Sequence, residues 1–242
     1  MPANTWTPTA LQSNQSYWSG SGWRAVEAQH KVSTMALARG NLRDQATLEN
    51  ILEEFKPKIP PDAQGLHWLL ASPFRYFPPQ EGSRFRRKQD PGVFYAAEDR
   101  KTACAEVGYW RWRFWCDSEG LRDVGKTVQI TLFAFNIETS KALDLTKPPL
   151  SDDKALWMSA IDYSHTQELA IQAREAMIEL IRYESVRNPD GKCLAVMTPN
   201  ILNKEGVYQG NQQTWSLHIQ LPEVIWQREL EPAEAYMFNF QG

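Results

Sequence analysis

One stretch of the sequence, residues 82–114, holds the side chains best suited to chemistry. It combines a basic turn, a short aromatic strand and a helix that begins near Asp99 and carries Glu106. Arginines in such a cluster can bind phosphate through paired N–H groups. Arginines that bind phosphate, a flat aromatic surface and a single carboxylate together suit an enzyme that cleaves a nucleotide at its glycosidic bond. The basic side chains of the turn are Arg84, Arg86, Arg87 and Lys88.

Glu106 is the sharpest candidate for a catalytic group, because its neighbours at positions 103–107 are small or apolar. If that helix face points inward, a fixed carboxylate can stabilise positive charge that develops on a substrate. If the face points to water, Glu106 pairs with a nearby arginine such as Arg100 and has a structural role only. Spacing alone leaves both interpretations open.

Four residues taken together, Arg84, Tyr95, Glu106 and Ser185, resemble the Arg–Glu–Ser pattern of RES-domain proteins, the toxins of RES–Xre toxin–antitoxin systems. The fragments RF-x-R, FYAAE, TA-x-AEV and RY-x-SVR-x-PDGKCLAV carry this resemblance, which spans residues 23–230. The order of the four residues is fairly specific in combination, whereas each residue alone would be a weak signal.

The resemblance implies a role for each arginine and for Glu106. Glu106 would hold ribose hydroxyls and face the positive charge on the sugar as the nicotinamide–ribose bond of NAD breaks. Arg84 would bind phosphate, with Arg86 and Arg87 as alternatives, because the family's arginine precedes its tyrosine by about ten residues. Arg75 is an outer candidate for substrate binding.

Tyr95 and Ser185 complete the predicted site. Tyr95 would hydrogen-bond a phosphate or ribose, or stack its ring on nicotinamide; ordinary packing in a strand is the alternative. Ser185 lacks a G-x-S-x-G elbow, so we do not interpret it as a nucleophile. By resemblance it would hydrogen-bond the nicotinamide ribose, and the flanking Arg182 and Arg187 could instead serve the structure.

The resemblance also implies an activity and partners. NAD is the substrate, and the acceptor is water, inorganic phosphate as a co-substrate, or a protein side chain. Family members deplete NAD and arrest growth until a cognate Xre-type antitoxin covers the active site, and many assemble into larger complexes, so a homo-oligomer is compatible. Two alternatives stay open: a mono-ADP-ribosyltransferase with a protein target, and a non-catalytic module that binds a nucleotide or a partner.

Composition excludes several other classes of protein. The 242 residues carry 26 basic and 29 acidic side chains, a net charge of −3, which disfavours direct nucleic-acid binding. Three widely spaced cysteines with no Cys/His cluster support neither a disulfide framework nor a metal site. No signal peptide or membrane span is recognisable, so a cytoplasmic location is expected. Neither a Rossmann fingerprint nor a P-loop occurs.

Periodicity in the first quarter of the chain predicts a loose arm and a helical extension. Residues 1–21 are polar and without a clear period, which indicates a loose N-terminal arm. Residues 22–60 are predicted to form two helices, at 23–38 and 42–55, the second with a buried stripe at Leu48, Ile51, Leu52 and Phe55. We expect this pair to pack on the core; a dimer or partner surface is the alternative.

The remainder is predicted to form a RES domain at 61–231, followed by a C-terminal tail at 232–242. Residues 165–181 have the spacing of an amphipathic helix, and short strands surround it. This order favours an α+β fold with a mixed, mainly antiparallel sheet. By resemblance, that fold is like the split β-sheet of the ADP-ribosyltransferases, with flanking helices. Predicted strands lie at 67–76, 94–97, 127–135, 142–145, 183–186, 194–197, 215–220 and 224–229.

Overall fold

A computed structural model describes residues 6–28, 32–202 and 212–240. Its strands are β1 (Ser16–Glu27), β2 (Phe94–Ala97), β3 (Lys126–Asp144), β4 (Leu180–Glu184), β5 (Lys192–Val196), β6 (Gln212–Gln220), β7 (Glu223–Arg228) and β8 (Ala235–Asn239). Its helices are α1 (Pro8–Ser13), α2 (Val32–Leu37), α3 (Leu42–Glu54), α4 (Trp68–Arg75), α5 (Arg100–Asp117), α6 (Lys154–Trp157) and α7 (Ser164–Glu175). Short 3₁₀ helices lie at Pro61–Ala63, Glu119–Leu121, Leu150–Asp153 and Pro199–Ile201.

The strands form one mixed sheet in the order β1-β2-β5-β4-β3-β6-β7-β8. An additional antiparallel pairing between β1 and β3 closes a ring of β1, β2, β5, β4 and β3, and β6 to β8 extend from β3. The β3–β4 pairing is parallel, while the other pairings of named strands are antiparallel. The predicted α+β class with a mixed, mainly antiparallel sheet is therefore confirmed.

Strand β3 separates two hydrophobic cores, because successive side chains of a strand point to opposite faces. Ile130 and Leu132 pack into the larger core, which also contains the buried residues of α5 and α7. Phe133 and Phe135 pack into the second core, together with α4 and β2. The sheet is thus covered on both faces, and α5 lies against β1, β2 and β5 on the first face.

The N-terminal prediction was wrong. Residues 8–13 form α1, whose Leu11 is fully buried, and residues 16–27 form β1, which runs along β3 from Ser16 to Glu27. The glycines and serines of this stretch give no local strand signal, and the pairing with β3 is non-local. Position 22 lies against the ring of Phe135, and a Cβ there would be 2.6 Å from the nearest ring carbon, so glycine fits where a larger residue would collide.

The predicted helical pair is partly confirmed. Helix α3 forms as expected and is capped by Asn41, but residues 23–27 belong to β1, and α2 begins only at Val32. The predicted buried stripe was also wrong, since Phe55 is 85% exposed and Ile51 and Leu52 are nearly half exposed. Helical spacing identifies one face of a helix, but it does not say what covers that face.

Three further boundaries differ from the predictions. The apolar run 67–76 is helix α4 instead of a strand, a known ambiguity of short apolar runs. The predicted helix 165–181 ends at Glu175, and β4 begins at Leu180 after Met177 takes a positive φ of 57°. The predicted tail contains β8, which pairs with β7.

Two kinds of feature are absent from the residues that the structure describes. Over the residues that the structure describes, none of the helices combines the length and hydropathy needed to cross a bilayer. Within the same residues, no group of three or more His, Cys, Asp or Glu side chains could hold a metal ion.

Candidate active site

A cavity of about 340 Å³ opens where β1, β2 and α5 meet the loop around Arg84 and the ends of β4 and β5. Three guanidinium groups and one carboxylate line it, which leaves a net charge of +2. Aromatic rings form much of the remaining wall. The charged residues are Arg24, Arg84, Arg187 and Glu106, and the aromatic ones are Trp23, Tyr95, Trp110, Tyr163 and Tyr183.

Glu106 and Ser185 lie 79 positions apart in sequence but are in direct contact. The Ser185 hydroxyl donates a hydrogen bond of 2.6 Å to Oε1 of Glu106, and the Cys193 thiol lies 3.7 Å from the same oxygen. Among the described residues, Oε2 of Glu106 has no hydrogen-bond partner, so it is available to a ligand in the cavity. The structure therefore brings together the predicted acid and the predicted serine.

The orientation of Ser185 follows from the turn that contains it. Its Oγ accepts hydrogen bonds from the backbone N–H groups of Arg187 (3.1 Å) and Asn188 (3.0 Å). With both acceptor positions taken, the hydroxyl proton points to Glu106. Ser185 is only 4% exposed, so water does not compete for this geometry.

The same turn is fastened to the start of α5. Asn188 Nδ2 donates to Thr102 Oγ1 (2.8 Å), and Thr102 Oγ1 donates to the N-cap residue Asp99 (2.6 Å). Gly191 packs so closely that a Cβ there would overlap Thr102 Oγ1. One capping network therefore positions both Ser185 and the helix that carries Glu106.

Arg84 reaches the cavity from a tight loop that other elements hold in place. Gly82 enters the loop with a φ of +78°, and a Cβ at this position would overlap a backbone carbonyl oxygen. From α7, Gln167 Nε2 donates to the carbonyl oxygens of Glu81, Ser83 and Arg86 at 3.2, 3.0 and 3.4 Å. These three hydrogen bonds hold the loop that carries Arg84 against α7.

The guanidinium of Arg84 is buried and already oriented. Its Nη atoms donate to the carbonyl oxygens of Trp157 (2.7 Å) and Ser159 (3.0 Å), and its Cζ lies 4.8 Å from the ring centre of Tyr163. No carboxylate pairs with it among the described residues. Its charge is consequently available to an anion in the cavity.

Tyr95 lines the cavity, but its hydroxyl serves the Arg84 loop. It accepts a hydrogen bond from the backbone N–H of Phe85 (2.9 Å) and shares another with Ser83 Oγ (2.8 Å). Burial raises the pKa of this phenol above its usual value. The loop therefore engages the hydroxyl of Tyr95, and the predicted contact of this residue with phosphate, ribose or nicotinamide stays a prediction.

The other predicted arginines lie elsewhere. Arg86 is buried and donates to the carbonyl oxygens of Asp90 and Tyr76, and Arg87 pairs with Asp90. Arg75, at the end of α4, holds Glu53 and the Pro57 carbonyl oxygen. None of the three lines the cavity. The predicted contact of Arg75 and Arg87 with the substrate stays a prediction. Of the three arginines considered for phosphate binding, Arg84 is the one that lines the cavity.

Sequence reasoning missed two arginines of the cavity. Arg24 comes from β1, donates to the Tyr95 carbonyl oxygen and lies 4.9 Å from the ring centre of Phe94. Its Nε is buried without a hydrogen-bond partner among the described residues, and burial lowers its pKa to about 10. Arg187 lies 3.4 Å from the ring centre of Tyr109 and donates to the Ala160 carbonyl oxygen.

The signal for these two residues was weak in the sequence. Arg187 could have been found in the SVR fragment, because it stands two residues after Ser185. Arg24 had no local signal, since the strand that carries it is defined by its pairing with β3. Arg182 lies on the other side of Ser185. It forms ion pairs with Glu98 and Asp144, which is a structural role.

Comparisons with known proteins identify a family and a solved structure to which this chain is similar. The family model described as RES domain matches residues 59–220, about two thirds of the chain. Strand β1, with Arg24, precedes the matched region. No curated protein matches the sequence significantly. A chain from the crystal structure of the M. tuberculosis MbcT–MbcA toxin–antitoxin complex has the same fold, with a TM-score of 0.50 and 14% identity. The similarity covers 88% of this chain and 91% of that one.

Proposed function

Because this chain belongs to the RES-domain family, we propose that it is a toxin-type enzyme that cleaves NAD at the nicotinamide–ribose bond. One observation carries the proposal: a carboxylate, Glu106, is held by Ser185 in the wall of a cavity that contains three guanidinium groups. A net charge of +2 suits a dinucleotide, whose pyrophosphate carries two negative charges.

The arginines would bind the pyrophosphate. Arg84 and Arg187 each donate to backbone carbonyl oxygens of the same segment, residues 157–160, and so they are oriented before a ligand arrives. Each keeps further N–H groups for phosphate oxygens, because a guanidinium has five. Arg24 lines the same cavity and donates to the Tyr95 carbonyl oxygen, so its guanidinium adds a third oriented positive charge.

Glu106 would act on the ribose. When the bond between C1′ of the ribose and the pyridinium nitrogen breaks, both bonding electrons leave with nicotinamide, which departs as a neutral molecule and needs no proton. The positive charge moves to the ribose as an oxocarbenium ion. A fixed carboxylate beside this ion stabilises it, and one well-placed electrostatic group contributes about 3–4 kcal/mol. Ser185 keeps Oε1 in place while Oε2 remains free for a ribose hydroxyl.

The acceptor completes the reaction. Attack by water at C1′ releases ADP-ribose and one proton, and attack by inorganic phosphate releases the 1″-phosphate of ADP-ribose. Attack by a protein side chain would make the enzyme a mono-ADP-ribosyltransferase. The proposal favours water or phosphate as the acceptor, as in a depleting toxin.

Purified protein incubated with NAD labelled in its adenosine half tests the reaction. We expect loss of NAD and release of nicotinamide, a loss of at least 100-fold in rate for Glu106→Gln, and no change for Glu119→Gln, an exposed carboxylate outside the cavity. Reactions with and without phosphate identify the acceptor, and label on protein would indicate a transferase. NAD that binds without turnover would instead make the chain a binding module and refute the proposal.

The role as a toxin, and the antitoxin partner, are tested in cells. A chain of similar fold comes from a toxin–antitoxin complex, which supports an antitoxin protein, of the Xre type by family resemblance, as the partner. We expect expression of the wild type to lower cellular NAD and arrest growth, and co-expression of a cognate Xre-type antitoxin to restore both. Equal growth arrest by Glu106→Gln would show that toxicity does not come from NAD cleavage.

A further inference from the structure

We infer that Trp110 forms a stacking subsite at the mouth of the cavity, and that this subsite takes the purine half of the dinucleotide. The inference rests on the proposed function, because it names the part of NAD that contacts this surface. It assigns a specificity role to a residue outside the Arg, Tyr, Glu and Ser pattern.

Helix α5 presents one continuous stripe to the cavity. Ala103, Glu106, Val107 and Trp110 all line it, at the i, i+3, i+4 and i+7 spacing of a single helix face. With a rise of about 1.5 Å per residue, Trp110 lies about 6 Å further along the helix axis than Glu106. The stripe therefore runs from a buried apolar end, past the acid, to an indole ring.

The environment of this indole differs from that of the other tryptophans of α5. Trp110 is 54% exposed, whereas Trp112 and Trp115 are each 4% exposed and belong to the core. Its ring contact among the described residues is a nearly perpendicular one with Tyr109, at 5.5 Å between ring centres. A half-exposed indole at the edge of a cavity offers a flat surface on which a planar base can stack.

The position of the reactive bond indicates that the purine, and not nicotinamide, stacks on Trp110. The bond that breaks must lie beside Glu106, and nicotinamide is attached to the same ribose carbon, so both belong to the inner part of the cavity. The adenosine half loses no bond and needs no exclusion from water. Arg187 stacks on Tyr109, which contacts Trp110, so a pyrophosphate on Arg187 would lead the second nucleoside toward the indole.

Two ligands separate the halves of NAD. ADP-ribose contains the purine but no nicotinamide, and nicotinamide mononucleotide contains nicotinamide but no purine. Isothermal titration calorimetry gives the Kd of each for the wild type and for Trp110→Ala. We expect the Kd of ADP-ribose to rise about 5- to 100-fold, as one lost stacking contact predicts, and the Kd of the mononucleotide to change less than twofold.

Matched variants control for stability and for general changes of the surface. Phe114 lies one turn beyond Trp110, is 55% exposed and does not line the cavity, so Phe114→Ala should change neither Kd. Trp110→Phe should retain most of the affinity for ADP-ribose, because it keeps an aromatic face.

Three outcomes would overturn the inference. An unchanged Kd for ADP-ribose in Trp110→Ala, with normal NAD cleavage, would refute the subsite and leave the proposed function intact. Equal weakening of both ligands would place Trp110 against the ribose phosphate that the two ligands share, and not against the purine. A wild-type protein that neither binds these ligands nor consumes NAD would refute the proposed function and the subsite with it.

Discussion

Removal of the Ser185 hydroxyl should affect both the stability of the protein and the rate of the proposed reaction. In Ser185→Ala, Glu106 loses a 2.6 Å hydrogen bond of the charge-assisted kind, which typically contributes about 1.5–3 kcal/mol. If half or more of that free energy holds the carboxylate in its productive orientation, kcat for NAD cleavage falls about 4- to 150-fold. The KM should change little, because the pyrophosphate contacts are made by other residues.

The stability change comes from the turn. The backbone N–H groups of Arg187 and Asn188 both lose their acceptor in a site where Ser185 is 4% exposed. Two such losses predict a free energy of unfolding lowered by about 1–3 kcal/mol, measured by urea denaturation. Ser185→Thr keeps the hydroxyl and should recover part of the rate even if its extra methyl group costs stability.

A double-mutant cycle separates an action through Glu106 from a direct effect on substrate. If Ser185 acts by orienting Glu106, the variant with both Ser185→Ala and Glu106→Gln should be no slower than Glu106→Gln alone. Multiplied losses in the double variant would show that Ser185 has an independent contact with the substrate. A kcat for Ser185→Ala within twofold of the wild type, at normal stability, would refute the orientation argument.

Three further predictions follow from individual residues. Arg84→Lys should raise the KM for NAD at least 10-fold, because an ammonium cannot reproduce the paired carbonyl contacts and bind phosphate as well, whereas Arg87→Ala, outside the cavity, should leave the KM unchanged. Gly82→Ala should lower the free energy of unfolding by at least ~1 kcal/mol in urea titrations, since φ is +78° and its Cβ would overlap a carbonyl oxygen. Burial raises the pKa of the Cys193 thiol far above its usual range, so below pH 8 it stays protonated. A thiol reagent should then modify the half-buried Cys116 first, and rapid labelling of Cys193 in the native protein would contradict this.

Local sequence was sufficient for the element that carries the acid. Helix α5 begins with the predicted cap Asp99, whose side chain accepts a hydrogen bond from the Thr102 N–H at 2.8 Å. Strand β2 has the predicted bounds, and β3, β5, β6 and β7 lie where alternation indicated strands. Capping and alternation depend on residues close in sequence, and such signals survive without knowledge of the fold.

Local sequence was insufficient where an element depends on a distant partner. The sequence predicts a loose arm and a helix where strand β1 lies, and a tail where the edge strand β8 lies. Each is defined by the strand beside it. Helix α3 shows the same limitation. Its periodicity predicts a buried apolar stripe, but in the fold that stripe is exposed.

The sequence by itself determined the family of this protein, through the order and spacing of Arg84, Tyr95, Glu106 and Ser185, and with it the chemistry that we propose. Tertiary structure alone decided how the four are used: Ser185 orients Glu106, and the Tyr95 hydroxyl holds the loop of Arg84. The tertiary structure also places Arg24 in the wall of the cavity and Arg75 and Arg87 outside it. The physical reason is that residue type sets what a side chain can bond, whereas contacts across the fold set which of those bonds are left for a ligand.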